Sequence, residues 1–127
     1  MSEHELWNEL GNLYFLTGTY NQAAYAYNRS IRLDASFGRP YCNLALTYVK
    51  QGRFEEAVQL YQRSIELLVD DKERAITWYR LGDVYRHLKD YRDAILAYQQ
   101  ADLLDASMSQ DQKESDQILY GGSAIEI

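Results

Sequence analysis

Trp78-Tyr79-Arg80-Leu81-Gly82-Asp83-Val84-Tyr85, a break through Leu88-Lys89-Asp90, then Tyr91-Arg92-Asp93-Ala94-Ile95-Leu96-Ala97-Tyr98-Gln99-Gln100-Ala101: this is the stretch whose reading decides the fold. Apolar residues recur at intervals of three and four on both sides of the break, which is the period of a helix. Two upstream segments repeat the layout. In the first, Leu6, Trp7, Leu10, Leu13, Tyr14 and Leu16 form one stripe, Thr17-Gly18-Thr19 breaks it, and Tyr20, Ala23, Ala24, Tyr27 and Ile31 form the next. In the second, Tyr41, Leu44, Ala45 and Tyr48 follow Pro40, and Phe54, Ala57, Val58, Tyr61, Ile65 and Leu67 follow Gln51-Gly52-Arg53. Pro40 suits the first turn of a helix, where an N–H has no partner to lose. A chain built of copies of one unit is an array, to be read for its period and its surface.

Composition narrows the class. With 127 residues, 46% hydrophobic and 25% charged, the chain fits one domain with a core. A single Pro, seven Gly and abundant Ala, Leu, Gln, Arg and Glu favour helix over sheet, so the expected fold class is all-α. A formal charge of -6 argues against nucleic acid as a partner, because that affinity comes from many cations neutralising phosphates. Cys42 is the only cysteine and the start has no secretory pattern, which predicts a reducing, cytoplasmic setting. No apolar run approaches the roughly 20 residues that span a bilayer, so no direct membrane insertion is expected.

Superposing the small residue of each first helix aligns Gly11, Ala45 and Gly82, with steps of 34 and 37 residues. A 34-residue helix-turn-helix period is the signature of tetratricopeptide repeats, and from about His4 to Met108 the chain resembles that family. Trp7, Tyr41 and Trp78 occupy its first aromatic position, Leu10, Leu44 and Leu81 its leucine, and Tyr14, Tyr48 and Tyr85 its next aromatic. Gly18 and Gly52 hold the turn. Tyr20, Phe54 and Tyr91, then Ala23, Ala57 and Ala94, then Tyr27, Tyr61 and Tyr98 complete the second helices. The resemblance implies three antiparallel helix-turn-helix repeats, at about 4–37, 38–71 and 75–108, stacked as a right-handed superhelical solenoid. Residues 1–108 form that domain, and 109–127 are an acidic tail or a weak capping helix. The small residues are expected to let paired helices approach closely, Gly11 against Ala23, Ala45 against Ala57 and Gly82 against Ala94.

Three departures modify this expectation, at the closing prolines, at the second-to-third step with its turn, and in the last helix. Ala35, Val69 and Ala106 stand where the family closes a repeat with proline, which predicts more helical junctions. Three extra residues lie around Asp70-Asp71-Lys72-Glu73-Arg74, and Lys89 replaces the turn glycine, so local irregularity is expected there. Asp102 replaces Ile31 and Ile65, which predicts that no ordinary fourth repeat follows. Leu96 and Leu103, seven apart, share an outward face that is either covered by the tail through Ile118, Leu119 and Tyr120 or forms a second patch.

Nothing points to catalysis. His4 and His87 are far apart in sequence, and the phosphate-loop, His-Glu-x-x-His and Gly-x-Ser-x-Gly patterns do not occur. Glu55-Glu56 and Asp70-Asp71 read as helix-terminal charges rather than metal ligands. Neither cofactor nor metal is expected, and Cys42 reads as a small apolar filler of the groove.

The resemblance places function on the inner face of the first helices. Carried over residue by residue, that groove contains Glu5, Asn8, Glu9, Asn12, Phe15 and Leu16; Arg39, Cys42, Asn43, Leu46, Val49 and Lys50; and Ile76, Tyr79, Arg80, Asp83, Arg86 and His87. Arg39, Lys50, Arg80 and Arg86 against Glu5, Glu9 and Asp83 make it mildly basic. In chaperone-adaptor members a clamp of two Lys, two Asn and an Arg holds a peptide's C-terminal carboxylate. Asn12, Asn43 and Arg80 match that clamp here, whereas Asn8 and Ile76 stand where the lysines would be.

The expected function is a non-enzymatic adaptor holding a partner protein's acidic or carboxylate-bearing peptide. Asn12, Asn43, Arg80 and Arg86 would bond it, and Phe15, Leu46, Val49 and Tyr79 would supply apolar contacts. The alternative is a self-assembling structural scaffold in which the C-terminal tail or the Leu96/Leu103 face docks on its own chain or on a neighbouring one, the latter giving a homo-oligomer.

Overall fold

Helix starts are specified by local chemistry in four of six cases. Ser2 and Glu5 form a reciprocal capping box at the first helix, Pro40 sits in the first turn of the third, and Asp70 and Asp90 accept from the backbone N–H groups of Glu73 and Asp93 at the fifth and sixth. The computed structural model describes residues 1–105. They form α1 (Glu3–Leu16), α2 (Tyr20–Leu33), α3 (Arg39–Lys50), α4 (Phe54–Leu67), α5 (Asp71–His87) and α6 (Tyr91–Leu104), with no strand among the described residues. The helices pair as α1/α2, α3/α4 and α5/α6, each pair packs on the next, and α1 also touches α3. The fold is an all-α solenoid of helical hairpins.

Two apolar clusters hold the stack. Ala23, Tyr27 and Leu44 join the first pair to the second. Ala45, Ala57, Tyr61, Ile65, Leu81 and Val84 join the second to the third, with Trp78, Tyr85 and Phe54 packed around them. Polar clips fix the hairpins as well: Ser30 Oγ donates to the His4 carbonyl at 2.7 Å and Ser64 Oγ to the Gly38 carbonyl at 3.0 Å, both from fully buried positions. The corresponding residue of the third pair is Ala101, also fully buried.

Ala45 and Ala57 share one buried cluster, whereas at Gly11 and Gly82 the nearest group is a tyrosine ring rather than the expected alanine. A Cβ on Gly11 would lie 2.5 Å from Tyr27 Cε1, and one on Gly82 would lie 2.7 Å from Tyr98 Cε1. The glycines therefore make room for a tyrosine ring of the second helix. Those tyrosines then bond across the hairpin: Tyr27 Oη donates to Asn12 Oδ1 at 2.6 Å, and Tyr98 Oη donates to Asp83 Oδ1.

The stripe on α1 is also corrected. Leu6, Leu13 and Leu16 are exposed, and the buried face is Asn8 and Gly11. Among the described residues α1 packs on α2 and α3, and Leu6, Leu13 and Leu16 lie on the side away from those contacts.

The break at Lys89 is regular. Gly18, Gly52 and Lys89 all adopt positive φ, at 75°, 76° and 63°. Three backbone bonds also recur in each turn, the last of them Thr19 N–H to Tyr14, Arg53 N–H to Tyr48 and Asp90 N–H to Tyr85. Lys89 thus accepts a left-handed conformation that costs an L residue roughly 1–2 kcal/mol. The junctions after α2 and α4 are not helical either, since Asp34 and Leu68 are extended. The three extra residues are absorbed as helix: α5 has 17 residues against 12 in α3. Asp102 is exposed. Ala106 and the expected tail or cap at 109–127 lie outside the described residues.

Candidate functional site

The first helices α1, α3 and α5 line one side of the stack, and between them lies a cavity of about 310 Å³. Asn8, Glu9 and Asn12 line it from α1, Arg39, Cys42 and Asn43 from α3, and Glu73, Ile76, Thr77 and Arg80 from α5, with Leu68 at the α4–α5 junction. The structure therefore brings Asn8, Glu9, Asn12, Arg39, Cys42, Asn43, Ile76 and Arg80 of the expected groove residues into one place.

Internal bonds decide what each amide can offer. Asn8 is only 4% exposed and its Oδ1 accepts from Asn43 Nδ2 at 3.1 Å, so Asn8 positions Asn43 rather than serving as an open groove donor. Asn12 is half-buried, and Tyr27 occupies its Oδ1, which fixes the amide so that both Nδ2 hydrogens remain for another acceptor. Burial drives the Tyr27 hydroxyl well above the ordinary tyrosine range, so it stays protonated and keeps that orientation. Asn43 retains one Nδ2 hydrogen after serving Asn8.

The charges are partly spent. Arg39 is bound by Glu73, with Nε and Nη2 each 3.0 Å from Oε2. Arg86 pairs with Asp83 at 3.3 Å, and Asp83 also accepts from Tyr98. Arg80 makes no ion pair among the described residues and lines the cavity half-buried. Position-by-position reading missed Glu73. It cancels Arg39, so the cavity is close to neutral rather than mildly basic, with Glu9 and Glu73 facing Arg39 and Arg80.

The remaining expected residues lie outside this cavity. Tyr79 is buried, 7% exposed, with its ring 5.2 Å from that of Tyr98, which corrects its expected role as a groove contact. His87 is exposed and stacks on Phe54 at 5.0 Å and 12°, bridging α4 and α5. Phe15 meets Tyr20 edge-on at 5.5 Å, and Val49 leans on the second apolar cluster. Leu46 is half-buried and Lys50 exposed. Leu96 and Leu103 are exposed on α6, at 53% and 80%; their expected cover by Ile118, Leu119 and Tyr120 lies outside the described residues.

The reactive groups of the cavity are few. Burial raises the Cys42 thiol above its usual range, with Ser64 and Arg80 only partly opposing, so at neutral pH it is a thiol and not a nucleophile. Among the described residues no three His, Cys, Asp or Glu side chains converge as metal ligands, and no helix is long and apolar enough to cross a membrane.

Comparison with known proteins fits this geometry. A tetratricopeptide repeat family model matches residues 36–101, and a second TPR repeat model matches 11–52. The chain is 31% identical over 112 residues to human DnaJ homolog subfamily C member 7, covering 88% of this chain and 22% of that protein. It is 33% identical over 91 residues to the Hsp70-Hsp90 organizing protein of Triticum aestivum, covering 72% of this chain and 15% of that protein. The chain thus spans under a quarter of the length of these relatives. Among solved structures it resembles the second TPR of Spaghetti (RPAP3) bound to the HSP90 peptide SRMEEVD, with a TM-score of 0.75 and 25% identity over 82% of this chain and 94% of that one. The N-terminal domain of stress-induced protein-1 from C. elegans aligns with a TM-score of 0.77 and 24% identity, covering 87% and 92%. A repeat period, matching hairpins and a family model covering half of the sequence agree: the chain belongs to the tetratricopeptide repeat family.

Proposed function

We propose that this chain is a non-enzymatic adaptor module whose cavity between α1, α3 and α5 holds a carboxylate-bearing peptide of a partner protein. The observation that carries the reading is the convergence of Asn12, Asn43 and Arg80 on one cavity, with Asn12 and Asn43 oriented as donors by Tyr27 and Asn8. A carboxylate is acceptor-only, so it complements a set of donors, and Arg80 can grip it in bidentate fashion. Support comes from the related RPAP3 domain, which binds the peptide SRMEEVD. The similarity in sequence to the Hsp70-Hsp90 organizing protein of Triticum aestivum points the same way.

Titration calorimetry with SRMEEVD, on the full chain and on Asn43→Ala with Arg80→Ala, tests this reading. Losing a charge-assisted bond worth roughly 1.5–3 kcal/mol should weaken binding at least about tenfold. Unchanged affinity removes the cavity from the account.

A second reading, self-assembly, is favoured by the exposure of Leu96 and Leu103 on α6. Light scattering over a concentration series on the chain and on Leu96→Ser with Leu103→Ser decides it. A monomer in both cases ends that reading.

A further inference from the structure

We propose that Glu73 sets which peptides the cavity admits: by holding Arg39 it leaves Arg80 as the available cation, so the site takes one carboxylate beside an apolar side chain and disfavours two. The inference rests on the peptide-binding reading above and adds its specificity.

The argument begins with the 37-residue step. In α3 the helix starts six residues before Ala45, whereas α5 starts eleven before Gly82. Glu73 stands nine residues before Gly82, where the second repeat has Ser36 in the turn ahead of α3, so the added turn creates its position. Asp70 caps that turn through the Glu73 N–H at 2.9 Å and fixes its direction. From there Glu73 reaches Arg39, the first residue of α3, with two contacts of 3.0 Å. A cation at a helix N-terminus is disfavoured by the dipole, and Glu73 offsets that.

The pair is partly solvated, its side chains 57% and 35% exposed, so it is weak enough to be opened by a competing carboxylate. A ligand with two adjacent carboxylates needs both Arg80 and Arg39, and must displace Glu73 while lying against its charge. A ligand with one carboxylate needs Arg80 and the amides alone. Ile76 and Leu68 line the rest of the cavity and offer an apolar contact in place of a second cation.

The experiment compares two peptides, SRMEEVD and its counterpart ending in Asn, on the full chain, on Glu73→Gln and on Glu55→Gln. Glu55 is exposed at the start of α4 and controls for net charge. The full chain should bind the Asn-ended peptide at least as tightly as the Asp-ended one. Glu73→Gln should tighten the Asp-ended peptide about three- to tenfold, the effect of removing one charge a few ångströms away in a partly solvated site, and the Asn-ended one less than about twofold. Glu55→Gln should change neither. Equal tightening of both peptides by Glu73→Gln, the same gain from Glu55→Gln, no gain at all, or a full-chain preference for the Asp end overturns the assignment of Glu73. Those outcomes leave peptide binding standing. If neither peptide binds any of the three proteins, the peptide-binding reading fails and this inference fails with it.

Discussion

Replacing Gly11 with Ala tests whether helix packing and groove chemistry are coupled. An added methyl would lie 2.5 Å from Tyr27 Cε1 and 2.6 Å from Cδ1, so the ring must retreat by about 1 Å to restore an ordinary contact. Tyr27 is 1% exposed, and its hydroxyl is held by Asn12 at 2.6 Å, so there is no free space to retreat into. Overpacking costs roughly 1–3 kcal/mol, and loosening the hydroxyl bond adds about 0.5–1.5 kcal/mol. Better helix propensity returns about 1 kcal/mol. The net expectation is destabilisation of about 1–3 kcal/mol, read as a lower urea midpoint at unchanged slope. Because Tyr27 also orients Asn12, SRMEEVD should bind more weakly to the variant under conditions where it is still folded. Gly11→Ala with Tyr27→Leu should cost less than the two single changes added together, since the smaller side chain removes the clash. A higher midpoint for Gly11→Ala would show that propensity alone governs the position and would refute the close-approach argument.

Three further outcomes follow from single sites. Lys89→Gly relieves the left-handed strain at φ 63° and should stabilise by about 0.5–1 kcal/mol in the same urea assay, after the extra chain entropy of glycine. Asp70→Ala removes the N-cap of α5 and should destabilise by about 1 kcal/mol, measured by thermal unfolding. Tyr27 and Tyr98 hold their protons in the folded state at pH values where the unfolded chain releases them, chiefly because they are buried, so their contribution is complete below about pH 10 and is lost as pH rises above it. Urea midpoints between about pH 8.5 and 11 should therefore fall at the alkaline end, and Tyr27→Phe with Tyr98→Phe should flatten that fall.

The hairpins were legible because their signals are local and repeated. A 34-residue step, turn residues at matching offsets and aromatic residues at helical spacing each report one unit's interior. Failures came where the answer depends on what lies across from a residue. Leu6 and Leu13 read as a core stripe, yet whether such a stripe is buried depends on what packs across from it, and among the described residues both are exposed. Gly11 and Gly82 read as partners of alanines because small residues suggest close approach, but the sequence does not say that a tyrosine ring fills the space. Lys89 read as an irregularity, although a turn closed by three backbone bonds can hold a non-glycine residue at moderate cost.

The groove shows the same limit in a sharper form. Alignment by position names its side chains but not which of their bonds are already used. Asn8 is committed to Asn43, the Asn12 acceptor to Tyr27, Asp83 to Tyr98 and Arg86, and Arg39 to Glu73. The residue after the crossing glycine serves the helix pair in the first and third repeats, through Asn12 and Asp83, whereas the second repeat has Leu46 there. Polar residues that look like a ligand-binding row are thus partly a set of internal braces. On the proposed reading, binding falls to the groups that keep donors among the described residues, namely the Asn12 amide, one hydrogen of Asn43 and the guanidinium of Arg80. Glu73 matters for the same reason: an inserted turn placed one more carboxylate within reach of one more arginine, so that of the two arginines lining the cavity Arg39 is paired, while Arg80 makes no ion pair among the described residues.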